Sequence, residues 1–262
     1  MLVSYRGAIF DVDGVLVDSP HERAWRETLQ LLMETDWRDI QPRTTYTSER
    51  FTPAVYQEVV AGKPRLSGAR AALEHFEVPD AGRRAEEYAE RKQRQVVELV
   101  EEGKFLAFPD ALRFILAVKE LGILIAAASS SKNAGLFLRR IRLDEFAAEQ
   151  GLEYDFLEFG LTLQEIFDAD VTGRDFPQGK PHPMIFLTAA EELGVAPQDC
   201  FVVEDATSGV QAAKAGNMAA LGVARLGDEE LLQRAGADLV GTTLDGVDLD
   251  ALAGGRLKQR RR

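Results

Sequence analysis

Two aspartates one residue apart, Asp11 and Asp13, follow the apolar run Ala8-Ile9-Phe10 and precede Gly14. The run reads as a buried strand, and the Asp-x-Asp-Gly stands where it stops. In the alternating geometry of a strand, Asp11 and Asp13 share a face. Two carboxylates on one face beside a glycine turn can hold a hard cation and can divide nucleophilic and acid–base work. The same residue types also suit a plain solvated turn. What they mean depends on what else the chain supplies.

Three more polar clusters stand where strands are expected to end. After Ile123-Leu124-Ile125-Ala126-Ala127-Ala128 comes Ser129-Ser130-Ser131-Lys132-Asn133. Hydroxyls and backbone N–H groups at a strand-to-helix turn form an anion cradle. Serine as a simple helix cap is the other reading, but Lys132 and Asn133 add donors that a cap does not need. Lys180, between Gly179 and Pro181, precedes an expected helix over 184–193 and can present a point charge to a phosphate or carboxylate. A solvated loop lysine is its alternative. His182 has no second histidine at a metal-ligand spacing and reads as incidental. Glu204-Asp205 ends the apolar run Phe201-Val202-Val203. Paired carboxylates there are costly unless they meet a cation. Together with Asp11 and Asp13 they would suit one Mg2+, completed by waters and a phosphate.

The elements that must position these groups follow from the texture of the chain. Apolar strands at 123–128, 201–203, 218–223 and 238–240 alternate with helical stretches, which implies a doubly wound parallel sheet. On such sheets, binding chemistry gathers beyond the carboxyl ends of the strands. Asp110 is placed to cap a helix running to Glu120, with Gly122 ending it. Between Glu22 and Glu102 no strand stands out. Trp25, Leu29, Leu32 and Met33 keep helical spacing, as do Val96, Val97, Leu99 and Val100. The reading is an α/β fold: a Rossmann-like core from 1–17 and 103–262, with a helical cap domain inserted at 18–102.

The 262 residues carry a formal net charge of −12 and a single cysteine. The acidic balance argues against a nucleic-acid partner. No apolar run approaches a membrane span, and the first residues lack the pattern of a signal peptide. One cysteine cannot form an intrachain disulfide and fits a reducing compartment. A cytoplasmic monomer or weak homodimer without a membrane partner is expected. Cys200 reads as a small buried residue, and the basic tail from Arg256 onward as frayed and solvated.

The order Asp-x-Asp-Gly, Ser129, Lys180, Glu204-Asp205 resembles the haloacid dehalogenase superfamily of phosphotransferases, along almost the whole chain. That resemblance implies that Asp11 attacks phosphorus and becomes an aspartyl phosphate. It implies that Asp13 is the acid/base and lends a backbone carbonyl to Mg2+. Ser129 would bind the phosphoryl oxygens, Lys180 would pair with Asp11, and Asp205 would ligate the metal with Glu204 beside it. Ala128-Ser129-Ser130-Ser131-Lys132-Asn133 and Glu204-Asp205-x-x-x-Gly209 are similar to motifs of the β-phosphoglucomutase branch. Gly62-Lys63-Pro64-Arg65 looks like its cap loop with a phosphate-binding arginine. Arg91-Lys92 looks like its cap lysine, and His21 like its hinge histidine. Ser19 stands where that branch commonly has threonine. The segment 149–165 has the look of an insertion. The substrate implied is a small phosphorylated sugar. A second phosphate, held by Arg65, Ser131, Lys132 and Asn133, would favour a mutase; a phosphatase needs only the first set.

Overall fold

The computed structural model describes residues 5–60, 63 and 65–260. The chain divides into two compact units. One joins the residues up to Asp18 with those from Leu106 onward, and the other is Ser19–Phe105.

In the first unit, β1 (Gly7–Phe10) is followed by the short β2 (Val17–Asp18). The chain returns from the second unit in β3 (Leu106–Ala107), which pairs antiparallel with β2. It then continues through α5 (Pro109–Glu120), β4 (Leu124–Ala127), α6 (Ala134–Arg140), α7 (Leu143–Gln150) and β5 (Ala169–Asp170). Next come α8 (Met184–Leu193), β6 (Cys200–Glu204), α9 (Thr207–Ala215) and β7 (Ala219–Val223). α10 (Glu229–Arg234), β8 (Leu239–Gly241) and α11 (Leu249–Ala253) complete it. The main sheet has the order β5-β4-β1-β6-β7-β8, every pair parallel.

Alternation along β1 sends its side chains to two covered faces. Phe10 meets Phe114 of α5 edge-on, and Phe114 in turn meets Phe201. Ile9 and Val202 face the opposite way, into a core with Ile185 and Phe186 of α8 and Val210 of α9. A strand covered on both faces must be apolar throughout, which is why Ala8-Ile9-Phe10 carries no polar residue before Asp11. This is the doubly wound parallel α/β fold expected from the sequence. Its central strand lies between neighbours reached by separate crossovers, the place where open sheets of this kind leave a crevice.

The second unit is helical, with no strand among its described residues. It contains α1 (His21–Glu34), α2 (Pro53–Val55), α3 (Arg65–His75) and α4 (Ala81–Glu101). Trp25, Leu29, Phe76 and Tyr88 lie in its core. The buried Tyr88 hydroxyl donates to the Trp25 carbonyl at 2.7 Å, which removes the cost of burying that O–H. Among the described residues no helix is long and apolar enough to cross a membrane.

Two expectations change, for Asp110 and the tail, and two features are new, β5 and the path of the inserted segment. β5 at the sheet edge has only two residues, Ala169 and Asp170, too few to form an apolar run in the sequence. Asp110 does not cap its own helix. It accepts hydrogen bonds from Arg225 (2.9 Å), Thr243 (3.0 Å) and the Leu244 N–H (2.8 Å). The tail is not frayed as far as Arg260. Asp248 N–H donates to Lys258 O (2.9 Å) and Arg260 N–H to Gly246 O (2.7 Å), around a Val247–Gln259 bridge. The inserted segment folds back on Ile141–Leu143. Leu143 N–H donates to Leu161 O and Leu163 N–H to Ile141 O, which buries Leu163 and Ile166.

Candidate active site

β4, β1 and β6 are adjacent and parallel, so the residues that follow them emerge side by side. β1 ends at Phe10, so Asp11 and Asp13 lie just past it rather than on the strand. Asp11 continues the pairing by one bond, its N–H donating to Val203 O at 3.1 Å. The chain then doubles back. Gly14 N–H donates to Val17 O, and Leu16 and Val17 N–H both donate to Val12 O. Gly14 is at φ +83°, a conformation that favours glycine.

Lys180 arrives from the loop before α8. Its Nζ donates to Asp11 Oδ1 at 2.6 Å and also to Glu204 Oε1. The side chains of Lys180, Asp11 and Glu204 are 14%, 8% and 1% exposed. Glu204 also accepts the Ala206 N–H at 3.2 Å. Two glycines make room for the acids. A Cβ on Gly14 would lie 1.9 Å from Asp205 Oδ2, and a Cβ on Gly209 would lie 1.9 Å from Glu204 Oε1. The Gly after Asp-x-Asp and the Gly after Glu-Asp are thus seats for carboxylates. Ser129 Oγ lies 3.5 Å from Asp13 Oδ2, at the limit of a hydrogen bond, and accepts the Ser131 N–H at 3.1 Å.

The electrostatics follow from burial. Removal from water, followed by the charges of Glu204 and Asp13, outweighs Lys180 and pushes Asp11 up to about 7. Burial, then Glu204 and Asp11, holds Asp205 well above the usual carboxylate range. Burial works against charge on Lys180, yet Asp11 and Glu204 hold its ammonium above its ordinary value. The site therefore carries more carboxylate than one ammonium balances. Among the described residues, no three acidic, histidine or cysteine side chains by themselves enclose a metal ion. An oxygen-only set of acids, with Asp205 seated against Gly14, fits a hard divalent cation whose shell is completed by water and phosphate.

The remaining candidates are placed as follows. Ser130 is exposed, Ser131 is half-buried and Asn133 is buried. Ser131 Oγ accepts the Asn133 N–H at 3.3 Å. Lys132 turns to a neighbouring loop, donating to Gly173 O (2.7 Å) and Asp175 Oδ1 (2.6 Å). In the helical unit, Lys92 is buried with its Nζ 3.2 Å from His21 Nδ1 and 4.9 Å above the Trp25 ring. Arg65 opens α3 and is exposed; Ser19 begins the unit and is half-buried. Gly62 and Pro64 lie outside the described residues. His182 accepts the Met184 N–H at 3.3 Å, so it serves the start of α8.

Sequence reasoning missed Arg225, which follows β7. Its guanidinium donates to Asp110 (2.9 Å), Val15 O (3.2 Å) and Gly14 O (3.4 Å), and lies 4.0 Å over the Phe108 ring. It thus ties the Gly14 turn, on which Asp205 rests, to the start of α5. The signal was a charged residue directly after an apolar strand, the same signal that marks the other clusters.

Residues 5–217 match the family described as haloacid dehalogenase-like hydrolase. The chain belongs to that family. It is 35% identical over 258 residues to the β-phosphoglucomutase of Mycobacterium tuberculosis, covering 91% of this chain and 90% of that one. It is 30% identical over 232 residues to the phosphorylated carbohydrates phosphatase of Thermotoga maritima, covering 87% and 90%. The crystal structure of the archaeal β-phosphoglucomutase from Pyrococcus sp. strain ST 04 superposes with a TM-score of 0.68 at 31% identity, covering 94% of this chain and 96% of that one. This haloacid dehalogenase-like chain is therefore a phosphotransferase or phosphatase enzyme, similar to the β-phosphoglucomutase branch.

Proposed function

We propose that the chain transfers a phosphoryl group on a small sugar phosphate through an aspartyl phosphate on Asp11, as a β-phosphoglucomutase-like mutase. The observation that carries this reading is Lys180 bridging Asp11 and Glu204 beside Asp205, seated against Gly14. Phosphoryl transfer is mostly positioning and charge neutralisation. A buried acid excess with one ammonium is built for that work once a cation and a phosphate enter.

Asp11, the Asp13 backbone carbonyl and Asp205 would hold Mg2+, with Glu204 supporting through Lys180. When bound, the ion supplies the charge that keeps Asp11 ionised at neutral pH. Asp11 attacks phosphorus, forming a new P–O bond as the bond to the sugar oxygen breaks. Asp13 gives its proton to that departing oxygen. Lys180 and Ser129 hold the phosphoryl oxygens. In the second half the acceptor hydroxyl yields its proton to Asp13, and its oxygen takes the phosphoryl group from Asp11. The unit Ser19–Phe105 would act as the cap, with Arg65, Lys92, His21 and Ser19 contributing to substrate binding.

A phosphatase, with water as acceptor, is the second reading. Lys132 favours it, because that candidate for the distal phosphate is engaged by Asp175 and Gly173. The deciding experiment follows β-glucose 1-phosphate with Mg2+ and a trace of glucose 1,6-bisphosphate. Conversion to glucose 6-phosphate supports the mutase, and release of inorganic phosphate supports the phosphatase. Full activity in excess chelator would remove the metal from the account.

A further inference from the structure

The loop after β5 brings a carboxylate to Lys132 and is anchored on both sides of it. Gly173 N–H donates to Ser129 O at 2.8 Å, in the turn whose Ser129 hydroxyl faces Asp13. Gly173 is at φ +66°, and a Cβ there would lie 3.4 Å from Lys132 Cα and from Ser131 O. A Cβ would therefore make only ordinary contact with the serine turn, and it is the left-handed backbone that favours glycine here. On the far side, Arg174 donates to Asp170 O and pairs with Glu192 of α8. Asp175 leaves this anchored turn with its Oδ1 2.6 Å from Lys132 Nζ, and Gly173 O takes a second donor position at 2.7 Å.

We infer that Asp175 is a specificity-determining residue: it occupies Lys132 and so disfavours substrates that carry a second phosphoryl group at the end remote from Asp11. The inference rests on the proposed phosphoryl-transfer reading. A phosphate dianion arriving at Lys132 must displace the Asp175 carboxylate or stand beside it, and like charges at that range repel. A neutral sugar hydroxyl at the same place meets no such penalty. The pair is open to water, with Lys132 53% and Asp175 93% exposed, so the discrimination is modest and screened by salt.

Calorimetric titration of the full chain in Mg2+ at low ionic strength, with glucose 1,6-bisphosphate and separately with β-glucose 1-phosphate, tests this. The quantity read is the ratio of the two dissociation constants. Asp175→Asn, close in shape and without charge, should shift the ratio about two- to five-fold in favour of the bisphosphate, the span of an exposed ion pair. Asp175→Asn combined with Lys132→Gln should show no such shift. An unchanged ratio in the single variant, or an equal shift in the double variant, overturns the inference. Hydrolysis of p-nitrophenyl phosphate, compared between wild type and Asp11→Asn, reads the underlying function independently. Asp11-dependent hydrolysis with an unchanged ratio removes the role of Asp175 alone. Failure of both sugar phosphates to bind removes the functional reading and the inference with it.

Discussion

Substituting Gly209 by alanine inverts the usual effect of that change. In a helix interior, Gly→Ala ordinarily stabilises by about 1 kcal/mol. Gly209 lies in α9, so the same gain would be expected from backbone propensity alone. The new Cβ, however, would lie 1.9 Å from both Cδ and Oε1 of Glu204, a side chain only 1% exposed. Overpacking of this kind costs about 1–3 kcal/mol. For a chain of this size, each kcal/mol moves the melting midpoint by roughly 2–4 °C, so a drop of roughly 2–12 °C is expected. Glu204 must swing from its seat, and Lys180 loses the more buried of its two acceptors. A charged hydrogen bond contributes about 1.5–3 kcal/mol, which makes kcat/KM fall on the order of 10- to 100-fold. Gly82→Ala is the control, because Gly82 lies in α4 and its Cβ would meet nothing within 4 Å. Thermal unfolding and phosphate-ester turnover of both variants decide the matter. If Gly209→Ala is as stable and as active as Gly82→Ala, Gly209 is not the seat of Glu204.

Three further outcomes are expected. Arg225→Met leaves the Asp110 carboxylate, 9% exposed, without its guanidinium. Removing one partner of a buried pair costs about 3–5 kcal/mol, read as a lowered denaturation midpoint, and Arg225→Lys should recover part of it. In chelator, stability should fall as pH rises from about 4 to about 7. Asp11 is raised from 3.8 to about 7, so across that window the folded chain holds a proton that the unfolded chain has lost. Asp11→Asn should flatten this slope in a melting series, and an unchanged slope would contradict the shift. Asp13→Asn should keep the fold and lose ~10²–10⁴-fold in kcat, the usual contribution of a positioned acid/base, so near-wild-type turnover would remove it from that role.

The main sheet was legible because a strand covered on both faces must be apolar, and 123–128, 201–203 and 218–223 announce themselves that way. β5, with two residues at the edge, carries no such signature. The groups around Asp11 were legible as residue types because each charged cluster interrupts an apolar run. Their mutual geometry was not. Strand alternation suggested a shared face for Asp11 and Asp13, whereas the turn after Phe10 places them. Asp110 shows why local rules fail: at the start of a helix it has the chemistry of a cap, but Arg225, distant in sequence, is the stronger partner. Lys132 shows the same. Its motif suggests a phosphate donor, and Asp175, invisible from the motif, engages it. The tail from Arg256 looked solvated because it is charged, yet backbone pairing with 246–248 holds it without needing its side chains.

The most direct test of the account asks which atom carries the phosphoryl group. The enzyme is quenched in acid while it turns over a sugar phosphate in Mg2+, reduced with borohydride, digested, and sequenced by mass spectrometry. Reduction of an aspartyl phosphate leaves homoserine at the residue that bore it. The account predicts homoserine at position 11 and nowhere else, with none in Asp11→Asn and no turnover by that variant. Homoserine at another aspartate, or turnover by Asp11→Asn at the wild-type rate, would contradict it.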